Sequence, residues 1–136
     1  MAEDDALVER VRQACADLPE VEERLSHGVP TFFVRGKKAF LSVWWQGHHD
    51  LEFPHLWCAA PPGAQEALVA SDAERFFRPP YVGHRGWVGV RLDRGLGAAE
   101  LRELCEDGYR TVAPAALVRR LDEVARRQGP DDGSRQ

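Results

Sequence analysis

Residues 75–93 read RFFRPPYVGHRGWVGVRLD. Four arginines, a histidine, a tryptophan and a tyrosine stand here among paired prolines and glycines. That is the composition either of a working site or of a sharply turned strand pair. The strand reading accounts for more of it. Proline cannot donate to a central ladder, so RFFRPPYV is expected as an extended edge piece. GHRG then supplies a turn, and WVGVRLD alternates with period two. Its Val88, Val90 and Leu92 row looks toward a core, which turns Trp87, Gly89 and Arg91 to the opposite face.

The same alternation extends upstream. PTFFVRG (30–36) and KKAFLSVWW (37–45) have strand character and meet at Gly36-Lys37, a predicted hairpin turn with positive φ at Gly36. Taking Phe32 and Val34 inward leaves Phe33 and Arg35 outward. Taking Ala39, Leu41 and Val43 inward leaves Phe40, Ser42 and Trp44 outward. VEERLSH (21–27) adds a strand before them. QGHHDLEFPH (46–55) reads as a loop and LWCAA (56–60) as a returning strand, with Trp57 assignable to either face. A short helix over 63–70 follows, then SDAE (71–74) with the shape of a capping box.

Helices flank these strands. Leu7, Val11, Ala14, Cys15 and Leu18 recur at helical spacing, predicting a helix over 4–17 that Pro19 ends. AAELRELCEDGYRTV (98–112) places Leu101, Leu104, Cys105 and Tyr109 on one stripe, with Gly108 interrupting it. APAALVRRLDEVARR (113–127) puts Pro114 at a first helical position. GPDDGSRQ (129–136) is expected to be a disordered tail. The prediction is one α+β domain over residues 1–128. Its antiparallel sheet has about five or six strands, with the terminal helices packed on one face. The open face would carry Phe33, Arg35, Phe40, Trp44, Trp87 and Arg91, an aromatic and cationic mixture typical of contact surfaces. A covering loop, the tail or a second subunit would make the same residues ordinary core.

Composition bounds the function. The 136-residue chain is 43% hydrophobic and 29% charged, with a net charge of −4, as in an ordinary globular domain. No apolar run approaches the roughly 20 residues that cross a bilayer. The acidic start MAEDDALVERV is unlike a secretory leader, so cytoplasmic residence without membrane contact is expected. Residues 27–91 hold seven basic and five acidic side chains, a net of +2 between an acidic start and a nearly balanced end. That is a weak footprint for nucleic acid. Cys15, Cys58 and Cys105 form no CxxC pair and read as buried thiols rather than a disulfide framework.

Candidate sites follow from residue type. His84 in GHRG is the most tempting catalyst, but no carboxylate lies near it in the turn to orient it, so no enzyme activity is expected. His48, His49, Asp50, Glu52 and His55 are metal-capable, yet lack a helical ligand spacing and read as a solvated loop, with no metal or other cofactor predicted. Arg35, Lys37 and Lys38 surround one expected hairpin tip, with His84 and Arg85 at another. Together with Arg91 they could address phosphates while Trp44 and Trp87 stack or pack. Polar tips that only discourage aggregation are the plain alternative.

Read together, HGVPTFFVRGKKAFLSVW (27–44), RFFRPPYVGHRGWVGVRLD (75–93) and GYRTVAPAAL (108–117) resemble the MmcQ/YjbR family. The resemblance runs from about Leu18 to Leu121, and none of these pieces is a catalytic signature. It implies a CyaY/frataxin-like topology and a DNA-binding role of the double-wing kind, carried by Arg35, Lys37, Lys38, His84 and Arg85. Different-class alternatives are a pocket for a small aromatic or anionic ligand beside Trp87, Arg91 and His84, and a homodimer or partner-protein interface on the same aromatics. The frataxin likeness adds iron binding by the acidic first helix as a minor option.

Overall fold

A computed structural model describes residues 2–47 and 51–134. The chain runs α1 (Ala2–Ala14), β1 (Val21–Ser26), β2 (Val29–Val34), β3 (Lys38–Trp44), β4 (His55–Cys58), α2 (Ala64–Ser71), β5 (Phe76–Phe77), β6 (Val88–Arg91), α3 (Ala98–Val112) and α4 (Ala115–Ser134). A 3-10 turn at Gly83–Arg85 precedes β6. The six strands form one antiparallel sheet in the order β1-β2-β3-β4-β6-β5. The α+β class, the strand number and the terminal helices are as the sequence predicts.

One face of the sheet carries the core. Val43, Leu56, Val88 and Val90 are fully buried there with Val11, Leu101, Cys105 and Leu117 from the helices. α3 lies close against the strands because Gly108 has no side chain: a β-carbon there would stand 2.8 Å from the Ala59 carbonyl oxygen. The glycine that interrupts the helical stripe is therefore the contact point, not an irregularity. Tyr109 beside it meets Phe40 edge-on at 5.8 Å and donates its hydroxyl to the Pro19 carbonyl at 2.7 Å.

Several local expectations change. In β3 the register slips: Phe32 pairs with Leu41 but Phe33 pairs with Ala39. Phe40 is the extra residue of a β-bulge, and the local break in alternation turns its ring into the core and Ala39 to the other face. The β2–β3 turn is centred on Arg35-Gly36 rather than Gly36-Lys37. Both residues have positive φ, 56° and 67°, and Lys37 N–H closes the turn on Val34 O at 3.0 Å. His27 (φ 55°) and Gly28 (φ 81°) make a matching turn between β1 and β2. No capping box forms at SDAE, because Ser71 ends α2 and donates its hydroxyl back to Leu68 O. α4 continues through Gly129 and Pro130 to Ser134, where a disordered tail is expected from the sequence. Residues 135 and 136 of that tail lie outside the described residues.

Candidate binding groove on the open sheet face

The strand alternation that buries Val43, Leu56 and Val88 sends Ser42, Trp44, Trp57 and Trp87 to the face away from α3. Thr31 and Phe33 of β2 join them. These side chains line a groove of about 980 Å³. Trp44 and Trp57 approach to 4.5 Å between ring centroids, and Trp44 Nε1 donates to Ser42 Oγ at 3.0 Å. Trp57, ambiguous from sequence, is placed by its pairing opposite Ser42 on one side and Gly89 on the other.

The face is more enclosed than its sequence predicts. Trp57 is 5% and Trp87 6% exposed, while Trp44 is half-buried. Most of the cover comes from the connection between β5 and β6, with Thr111 and Val112 of the last turn of α3 adding to the groove wall. Pro79-Pro80 keep this segment out of the ladder, and Tyr81 takes φ 65°. Tyr81 and Val82 then form part of the groove wall, with Tyr81 6.5 Å from the Trp57 ring. Buried Gln65 of α2 fixes the segment, its side-chain amide donating to the carbonyls of Gly83 (2.8 Å) and Trp87. GHRG is thus a pinned wall, not the tip of a second hairpin.

Five of the eight expected contact residues converge on the groove: Lys37, Lys38, Trp44, Arg85 and Trp87. Arg85 sets its guanidinium 5.3 Å from the Trp87 ring. Arg35, His84 and Arg91 do not join them. The positive φ at Arg35 ends the strand alternation, and its Nε reaches Glu20 at 2.9 Å. It lines instead a smaller cleft of about 260 Å³ with Lys37, Lys38 and Pro114. His84 is exposed in the 3-10 turn and outside the groove lining. Arg91 does face outward, but it lies 3.7 Å over the Phe53 ring and is bound by both Asp93 carboxylate oxygens at 3.0 and 2.8 Å. Ser26, His27 and Thr31 are groove residues that the sequence reading passed over. The His27-Gly28 turn dipeptide was the available signal for the first two.

The remaining chemistry is largely committed to structure. His55 is fully buried, its Nδ1 2.8 Å from Phe53 O, with its ring 6.4 Å from Trp44 in a stacked arrangement. It is a core ring rather than part of a solvated loop, while His48, His49 and Asp50 lie outside the described residues. Among the described residues no group of three or more His, Cys, Asp or Glu side chains could hold a metal ion. Several carboxylates near α1 are taken up by arginines. Glu23 accepts two hydrogen bonds from Arg12 at 2.7 and 2.9 Å, and Glu20 binds Arg35 and Arg120. All three cysteines are buried. Neighbouring Cys105 and then burial push the Cys15 thiol up, and burial does the same to Cys58. Both therefore stay protonated near neutrality. Among the described residues no helix is long and apolar enough to cross a membrane.

The same architecture occurs in the crystal structure of Deinococcus radiodurans protein DR2400, a DUF419 domain. It aligns with a TM-score of 0.67 and 21% identity over 85% of this chain and 87% of that one. At that identity the likeness is one of fold. No curated protein matches the chain. The family model described as YjbR matches residues 16–111, a span that begins just after α1 and takes in all six strands, Gly108 and the Tyr109 anchor. Because that span includes both the sheet and the contact that seats α3 on it, the match covers the fold itself, and the chain belongs to the YjbR family.

Proposed function

We propose that this protein is a non-catalytic binding domain that holds single-stranded nucleic acid, DNA in the first instance, in the open-face groove. One observation carries the proposal: cations without carboxylate partners border an aromatic floor. Among the described residues Lys37, Lys38 and Arg85 meet no carboxylate, whereas Arg12, Arg35, Arg75, Arg91, Arg110 and Arg120 each do. An ion-paired arginine has little left to offer a phosphate, so the cations that line the groove are the ones available to a ligand lying in it. Arg94, Arg102, Arg119, Arg126 and Arg127 elsewhere on the surface likewise meet no carboxylate among the described residues.

The recessed floor favours an unpaired strand over a duplex. Stacked bases in a duplex could bring only their backbone to the rim, whereas a splayed base can descend to Trp44 while its phosphates remain at Lys37 and Lys38. A two-tip clasp of a duplex has less support, because GHRG is held against the sheet. Catalysis has little support either. Among the described residues no Asp, Glu or Cys lines the groove. Ser26 Oγ and His27 Nδ1 approach to 3.3 Å, but at an exposed turn where, among the described residues, no carboxylate orients the ring.

Fluorescence anisotropy with a labelled oligothymidylate and a duplex of equal length tests this. Engagement of three phosphates predicts a log–log salt slope of about −2 for the single strand, with weaker binding of the duplex. No binding of either at low salt would end the nucleic-acid reading. The groove's concavity also favours a second reading, a small anionic aromatic ligand, since about 980 Å³ is the size of a small-molecule site. Saturable thermal stabilisation by mononucleotides, with no gain on lengthening the oligonucleotide, would select it.

A further inference from the structure

The outer edge of the sheet carries a second surface, independent of the groove. Among the described residues β1 pairs with β2 alone. Arg35 N–H donates to Glu20 O at 2.9 Å, one step beyond the Val21–Val34 pair. Hydrogen-bonded pairs alternate along an antiparallel ladder, so Glu22, Arg24 and Ser26 direct their backbone groups at β2. Val21, Glu23 and Leu25 direct theirs outward, a ready template for another strand.

Side chains alternate on the same period. Glu22 and Arg24 share the open face, where Arg24 lies 3.7 Å over the Phe33 ring. Val21, Glu23 and Leu25 share the other face, where Arg12 holds the Glu23 carboxylate at both oxygens. Leu25 is 72% exposed, more than any other large apolar side chain among the described residues.

We propose that β1 is a homodimer edge, pairing antiparallel with the same strand of a second copy about a twofold axis through Glu23. The strand is complementary to its own reverse. In this register Glu22 stands opposite Arg24 of the partner subunit, and Val21 opposite Leu25 of the partner subunit, each pair occurring twice. The outward groups of residues 21, 23 and 25 close about six backbone hydrogen bonds. The two Glu23 side chains meet at the axis, each already neutralised by its own Arg12. A register centred on Arg24 would instead oppose two arginines, each meeting a carboxylate only through a 3.5 Å contact to its own Glu22, and leave Leu25 against Glu23. This pattern of charge and apolar pairs identifies the occupant as a second copy of the chain. An axis perpendicular to the sheet keeps both grooves on one face of a joined sheet.

Sedimentation velocity on the full chain across the micromolar range tests the proposal. Wild type should show a concentration-dependent dimer. Glu22→Arg and Arg24→Glu should each weaken it at least tenfold, because each variant opposes like charges, and both change only exposed side chains. Mixing the two variants should restore a heterodimer, since the cations of one then face the carboxylates of the other. Leu25→Pro, which removes an outward N–H and leaves the β1–β2 ladder bonded, should also abolish the dimer while circular dichroism stays unchanged. A wild-type monomer throughout, a dimer indifferent to these substitutions, or failure of the mixture to associate would overturn it.

Discussion

Gly108 of α3 rests on the backbone of Ala59, so closely that a β-carbon at position 108 would stand 2.8 Å from the Ala59 carbonyl oxygen and 3.4 Å from that of Phe40. Two backbone oxygens cannot move aside as a flexible side chain could. Gly108→Ala would gain about 1 kcal/mol of helix propensity. It would lose more by lifting α3 from the sheet, since overpacking costs about 1–3 kcal/mol. The expected result is a net loss of stability in urea or thermal unfolding. A variant as stable as wild type would mean that the helix rides higher than this contact requires.

Tyr109 ties the same helix to the segment entering β1 through its hydroxyl, 2.7 Å from Pro19 O. Tyr109→Phe keeps the ring against Phe40 and removes only that donor. The Pro19 carbonyl loses its partner, and the expected cost is about 1–2 kcal/mol. Urea unfolding should show a lower midpoint with an unchanged m-value. A changed m-value would point to disruption beyond the single bond.

Glu20 predicts a pH dependence. Arg35 first, then Arg120, hold its carboxyl below the ordinary value of 4.5. A carboxyl lowered in the folded state contributes stability that is present above its unfolded value and is lost as pH falls through its folded value. Glu20→Gln should therefore lie below wild type in thermal stability at neutral pH and converge with it as the solution is acidified past 4.5. The group is exposed, so the gap should be small and should narrow with salt. Curves that diverge on acidification would contradict the pairing.

The frame was legible where alternation is uninterrupted. Val88, Val90 and Leu92 point inward and Trp87, Gly89 and Arg91 outward as the residue pattern of β6 predicts, and Phe32 and Phe33 divide the same way in β2. Phe40 defeats that logic because a bulge inserts a residue, and nothing in KKAFLSVWW marks where the extra residue falls. The groove was half legible for a related reason. Aromatic and cationic residue types mark a contact face, but whether an arginine is available depends on carboxylates distant in sequence, as Glu20 is from Arg35 and Arg120. Enclosure of the face depends on where a proline-broken connection comes to rest, which Gln65 decides from another element altogether.

The availability of charge, rather than its mere presence, gives the sharpest test of the groove. Lys37 and Lys38 line it without a carboxylate partner, and Arg91 sits on the same sheet face already bound to Asp93. Replacing both lysines with alanine should remove about two phosphate contacts and flatten the single-strand salt slope from about −2 to near −0.7. Arg91→Ala should leave affinity and slope almost unchanged, although it deletes a cation of the same face. Trp44→Ala should weaken binding by about 1–3 kcal/mol at any salt, because stacking on a ring does not release counterions. If Arg91→Ala weakened binding as much as the two lysines together, the ligand would be reading the whole basic face and not the groove.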